Sequence, residues 1–189
     1  MTKTLLAAAL CAACGMAQAE TATYTADPLH TNVTWEVLHS GTSTIRGRFA
    51  VKEATITLDR AAKTGKVDVG IDPATVTTIA PSLESTMKGE RMFNVAAFPS
   101  VRFAGESVTF DGDKVTSVTG NLTLLGKTQP LTLQAIRFNC YQHPMLKREV
   151  CGGDFEGVIQ RSQYGLGFLP QAAAENVRVL VQIEAIRQQ

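Results

Sequence analysis

Few side chains in this 189-residue sequence are of a kind that does chemistry. His30, His39 and His143 are its histidines, and none stands at the close spacing that turns two imidazoles toward one metal ion. Cys140 and Cys151 lack the C-x-x-C spacing that lowers a thiol pKa for redox work, and His143 between them is poor support for zinc. G-x-S-x-G, H-E-x-x-H and phosphate-loop motifs are absent. Asp111, Asp113 and Asp154 fall where turns are expected, a setting in which Asp bonds local backbone. The expectation is therefore no catalysis, no metal and no obligatory cofactor, which leaves binding.

The charges narrow the partner. Lys plus Arg number 18 and Asp plus Glu 17, with no basic cluster, so there is no footprint for a nucleic-acid backbone. Lys3, the apolar run Leu5 to Ala13 and the small-x-small site Ala17-Gln18-Ala19 read as a secretory signal cleaved after Ala19. The run falls short of the roughly 20 apolar residues of a membrane span. Cys11 and Cys14 raise a lipoprotein reading, but Ala8 and Cys11 stand where an aliphatic residue is wanted three places earlier. Removing residues 1–19 takes away Lys3 and leaves a domain of residues 20–189 with 17 basic and 17 acidic side chains. Its two cysteines, Cys140 and Cys151, then meet an oxidising compartment and are expected to form a disulfide.

The elements that must position these residues repeat with period two. Val33, Trp35 and Val37 alternate with polar residues; Ile45, Phe49 and Val51 lead on to Ala54, Ile56 and Leu58 with a change of parity that predicts a bulge. Further strands are read around Val67 to Ile71, Val101 and Phe103, Val115 to Leu125, Pro130 to Phe138, Val150 to Arg161 and Val177 to Glu184, with turns at Thr64-Gly65, Asp111-Gly112 and Gly126-Lys127. That makes eight. Between the third and fourth, Pro81 to Phe93 has helical spacing. An all-β antiparallel chain of this kind buries its apolar face in a sandwich or a closed barrel, and period alone does not choose. Inward parity selects Val33, Trp35, Val37, Ile45, Phe49, Val67, Val69, Ile71, Val101, Phe103, Leu122, Leu124, Leu131, Leu133, Phe155, Ile159, Val179 and Val181 as lining residues. The same parity turns Thr31 and His39 inward at opposite strand ends. Gly47 and Gly157 at inward positions leave room for a ligand or mark bends.

The strings "DPLHTNVTWEVLHSGTSTIRGRF", "VDVGIDPATVTT", "FNVAAFPSVRF", "GNLTLLGKTQPLTL" and "GVIQRSQYGL" stand in order and in register. Over nearly all of residues 22 to 187 the chain resembles the YceI-like, polyisoprenoid-binding proteins. The resemblance implies an eight-stranded antiparallel, lipocalin-like barrel with a short helical insertion between strands 3 and 4. Its implied function is a periplasmic protein that sequesters or carries a polyisoprenoid, quinone-like or fatty amphiphile in its interior. His39 is then either a head-group contact or a barrel-end residue bonding a carbonyl, and Arg161 either a partner for an anionic head group or a solvated strand-end charge. His30 is expected to bond Asp27 in a turn. Met87, Met92, Phe93 and Phe98 form either an adaptable lid or the seat that docks the helix on the barrel. The chain departs from the family pattern at Thr86, Met87 and Lys88 and at Gln163 and Tyr164. The alternative function is a secreted β-domain with a solid core acting through its surface, and a homodimer is kept among the partners.

Overall fold

A computed structural model describes residues 21–189, so the expected signal segment, residues 1–19, lies outside the described residues. Nine strands form: β1 (Ala22–Ala26), β2 (Asn32–His39), β3 (Ser43–Asp59), β4 (Thr64–Ile71), β5 (Val101–Asp111), β6 (Lys114–Leu124), β7 (Lys127–Gln142), β8 (Glu149–Gln160) and β9 (Ala173–Arg187). Each pairs antiparallel with its neighbours, and the β3–β4 pairing closes the circuit β3-β2-β9-β8-β7-β6-β5-β4 into an eight-stranded barrel. Closure removes the free edges an open sheet would expose.

The extra strand, β1, does not add a stave of its own. β1 and β2 run in the same direction between the same two neighbours, β3 and β9, so together they make one broken stave. The break is the Asp27–His30 turn. There Asp27 Oδ1 accepts from Leu29 N at 3.0 Å, and His30 Nδ1 lies 2.7 Å from Asp27 Oδ2. At this gap Asp27 N donates to Glu184 O of β9 at 2.8 Å, and Thr31 adds to it. Its hydroxyl donates to Glu184 O at 3.2 Å and accepts from Glu184 N at 3.3 Å. Thr31 is thus buried and committed to the ladder, and it faces no ligand.

The hydrophobic periodicity explains the rest. The parity change in β3 is a register shift between Val51 and Glu53, which re-aims Ala54, Ile56 and Leu58 into the core. Leu125 and Gly126, both at positive φ, make the two-residue hairpin between β6 and β7 that suits strand twist. Two expectations shift. Thr64-Gly65 already belongs to β4, with the turn at residues 60–63, and Asp154 sits within β8, paired to Arg137 at 2.8 Å, not in a turn.

One end of the barrel carries the β2–β3 and β6–β7 hairpins, the long β4–β5 connection and the β8–β9 loop; we call it the mouth. The other end, the base, carries β1, the chain's C-terminus and the β7–β8 loop. The helix α1 (Pro81–Lys88) lies in the β4–β5 connection, where the insertion was expected, but it stops at Gly89. Residues 89–98 continue as turns, with Phe93 N donating to Met87 O at 2.8 Å.

Cys140 and Cys151 face each other across β7 and β8 and form a disulfide. It ties the base loop of residues 141–150. Cross-linking a loop of this length contributes about 3 kcal/mol in the chain-entropy account. Replacing both cysteines by serine is expected to lower the unfolding free energy by about that amount, read from urea denaturation beside the oxidised protein.

Candidate functional site

The inward side chains of all eight staves do not fill the barrel. A cavity of about 260 Å³ occupies its mouth half and a second of about 100 Å³ its base half. Val33, Ile71, Leu122 and Val179 line both, so the compartments meet midway along the axis. The mouth compartment has exposed residues in its wall, among them His39, Thr86 and Leu169, and so it reaches solvent. No residue lining the base compartment is exposed.

Every apolar residue selected by parity lines one compartment or both. Trp35, Val37, Ile45, Phe49, Val101, Leu124 and Ile159 face the mouth compartment. Val67, Val69, Phe103, Leu131, Leu133, Phe155 and Val181 face the base one. The base compartment also uses Tyr24, Ile56, Leu58, Val108, Val115 and Val118, which that selection omitted. Tyr24 had a signal, since the alternation of Ala22, Tyr24 and Ala26 already shows period two. Phe168 and Leu169 at the mouth had none, for they lie in an irregular loop.

Gly47 and Gly157 face inward, but their space is taken. A Cβ on Gly47 would stand 2.4 Å from the Trp35 ring, and one on Gly157 3.0 Å from Leu131 and Leu133. These glycines admit neighbouring side chains rather than a ligand. Trp35, the chain's one tryptophan, thereby lies flat in the wall, and its buried indole N–H has no partner among the described residues.

Arg161 corrects both readings made of it. It is 5% exposed, so it is no solvated charge. Its five N–H groups all donate to main-chain carbonyls: Nε to Ala174, one terminal nitrogen to Leu166 and Phe168, the other to Leu169 and Ala173. No donor is left for a head group, since guanidinium has five. The side chain touches the mouth compartment while its hydrogen bonds hold the β8–β9 loop over it. His39, in contrast, is exposed at the rim and bonds no carbonyl through its ring among the described residues.

Met87, Met92 and Phe93 reach the mouth compartment together with Leu83. Phe93 meets Phe49 edge-on with centroids 5.2 Å apart, a geometry that favours aromatic pairs. Phe98 is not in that wall; it packs beside Gly126. The β4–β5 connection is therefore seated by Phe93 and Phe98, while Met87 of the helix and Met92 of the following turn form a pliable ceiling.

The base is plugged by Tyr24. The residue is 1% exposed, and its hydroxyl donates to Glu149 Oε1 at 2.6 Å, while Arg60 donates to Oε2 at 2.6 Å. Burial, then the bond to the Glu149 carboxylate, pushes the Tyr24 hydroxyl up from 10.0 to about 12. A raised folded value means that this contribution to stability is whole below pH 10 and fades as pH rises toward 12. Absorbance titration is expected to show one tyrosine ionising last, and Glu149→Gln to bring it down. Cys140, Glu149 and Cys151 are also near enough to share an ion, but both sulfurs are in the disulfide and Glu149 is already engaged.

Comparison with known proteins follows this geometry. Protein YceI of Salmonella arizonae is 29% identical over 160 residues, 84% of this chain and 83% of that protein. The crystal structure of Burkholderia cenocepacia BcnA superposes with a TM-score of 0.67 at 20% identity, covering 84% of this chain and 98% of that one. A polyisoprenoid binding domain from Saccharophagus degradans, implicated in plant cell wall breakdown, gives 0.58 at 14% identity over 87% and 98%. The YceI-like domain model matches residues 24–185, nearly the whole barrel, and the chain belongs to that family.

Proposed function

We propose that this protein binds a long-chain isoprenoid or similar amphiphile, tail inward, along the barrel axis. The observation that carries the proposal is the hollow apolar interior. Protein cores pack to crystal density with few voids larger than a water molecule. At roughly 24 cal/mol per Å³, the base compartment of about 100 Å³, walled by buried and half-buried residues, alone costs about 2.4 kcal/mol when unfilled. An apolar cavity of about 150 Å³ already stays dry and binds benzene. Burying a tail here recovers about 0.8 kcal/mol per methylene without any hydrogen bond. The lining residues named above are its contacts, with Met87 and Met92 adapting over it.

The YceI-like family and the Saccharophagus neighbour, a polyisoprenoid binding domain, support a prenyl tail. His39 and Thr86 are exposed polar side chains in the wall of the mouth compartment, placed to meet a head group, quinone-like or otherwise. Arg161 acts by shaping the entrance. Cleavage after Ala19 and residence in the periplasm agree with the Cys140–Cys151 disulfide. A binding protein, not an enzyme, fits this interior, and the cavity counts against a solid-core surface module.

Residues 20–189, purified without detergent and extracted with organic solvent, are expected to release a lipid identifiable by mass spectrometry. Delipidated protein is expected to change its Trp35 fluorescence on titration with a prenyl alcohol, since Trp35 lines the mouth compartment. Protein that yields no lipid and takes up neither prenyl nor acyl ligands would overturn the reading.

A further inference from the structure

The neutral balance of the chain conceals an uneven distribution along the barrel. The segments that meet at the mouth, residues 38–48, 72–100, 124–127 and 161–175, carry Arg46, Arg48, Lys88, Arg91, Lys127 and Arg161 against Asp72, Glu84, Glu90 and Glu175. Arg46 is paired with Glu36 and Arg161 is enclosed by carbonyls. Glu84 accepts from Thr78 N at 2.7 Å. Arg48, Lys88, Arg91 and Lys127 form no ion pair among the described residues, and Arg91 lies over the Phe168 ring at 4.4 Å. Cations therefore outnumber carboxylates at the entrance, where Glu90 and Glu175 are exposed and Glu175 accepts from Ser162 N and Oγ.

The same rim presents bare hydrocarbon. Ile79 is fully exposed, and Leu38 and Leu169 are about half exposed. Exposed Leu or Ile beside unpaired Lys and Arg is the composition of a surface that sits at a lipid headgroup boundary. The base also exposes Leu29, Met145 and Leu146. There Arg60 pairs with Glu149, Lys63 with Asp113 and His30 with Asp27, Lys147 and Arg148 form no ion pair among the described residues, and no compartment opens, so the open cavity is what sets the mouth apart.

We infer that the mouth is a docking face for an anionic lipid bilayer, with Ile79, Leu38 and Leu169 entering the headgroup region and the cations on lipid phosphates. The inference rests on the lipid-binding reading, because it places the entrance of the cavity against the source of the tail. A tail would then pass from bilayer to barrel without crossing water. One Lys or Arg near an anionic surface raises partitioning roughly fivefold, so loss of three is expected to lower it by at least about a hundredfold.

The test is co-sedimentation of residues 20–189 with vesicles of phosphatidylcholine alone and of equal phosphatidylcholine and phosphatidylglycerol. Expected are binding to the anionic vesicles only, its loss in high salt, its loss in Lys88→Glu/Arg91→Glu/Lys127→Glu, and its weakening in Ile79→Asp. Lys147→Glu/Arg148→Glu at the base is expected to bind as the parent does. Uptake of a monomeric prenyl alcohol, followed through Trp35 in the same variants, checks that the barrel is intact. Uptake without anionic-vesicle binding overturns this inference and leaves the carrier reading standing. Vesicle binding that depends on the mouth cations, with no uptake, sustains the docking face and removes the cargo. Equal binding to neutral vesicles, binding unaffected by the mouth substitutions, or a dimer that those substitutions dissolve overturns the docking face.

Discussion

Arg161→Ala is expected to destabilise the protein by about 3 kcal/mol or more, an effect large against the marginal stability of a domain. The guanidinium is 5% exposed and serves the carbonyls of Leu166, Phe168, Leu169, Ala173 and Ala174. Alanine leaves these acceptors facing an apolar compartment, and each buried acceptor without a donor costs about 1–3 kcal/mol unless water reaches it. The loss should concentrate in the β8–β9 loop. Hydrogen exchange of residues 162–172 is expected to accelerate beyond that of the barrel staves, and urea denaturation gives the total. Arg161→Lys keeps the charge but not the planar fork, and so recovers only part. A variant as stable as the parent would show that the carbonyls do not depend on this side chain.

Val179→Phe is expected to separate stability from binding. Val179 stands where the two compartments meet, so the larger ring grows into space that is empty in the barrel. Overpacking a filled core costs about 1–3 kcal/mol; filling a void does not, and the melting temperature is expected to hold or rise. A tail, by contrast, is shut out of the base compartment. Excluding roughly three methylenes at about 0.8 kcal/mol each weakens binding by about 2.4 kcal/mol, or some 60-fold. Short-chain ligands that need only the mouth compartment are expected to bind as before. Trp35 fluorescence titrations against a series of chain lengths read both limbs, and equal weakening at every length would show that ligands do not pass Val179.

Period-two arithmetic was enough to place the strands β2 to β9, the β3 bulge and the inward faces, because alternation reports directly which side of a pleat is dry. It was mute where geometry depends on partners distant in sequence. Nothing local to Arg161 says that its charge will be wrapped by the next loop, and a basic residue at a strand end ordinarily reads as solvated. Gly47 read as room for a ligand or as a bend because the indole that occupies its space belongs to another strand. Thr31 shared the inward parity of Trp35, yet the turn at Asp27–His30 turned its hydroxyl to the β9 backbone. The helix was drawn too long because Phe93, a helix-spaced apolar residue, docks from a turn. Whether the barrel was hollow was not legible at all, since a filled core and a lined cavity present the same alternation.

The broken stave has a bearing on how the chain reaches this structure. β1 near the beginning and β9 at the end pair directly, as in Tyr24 with Arg187, and β2 completes the same seam against β9. Sealing the barrel therefore waits for the last strand to exist. Contacts this distant in sequence pay their loop-closure entropy before returning any enthalpy, which makes all-β closure slow. A nascent chain that stops at Ala172 has no ninth strand and leaves two stave edges open, so it is expected to remain unfolded and accessible to protease. The seam thus delays folding until β9 has been made.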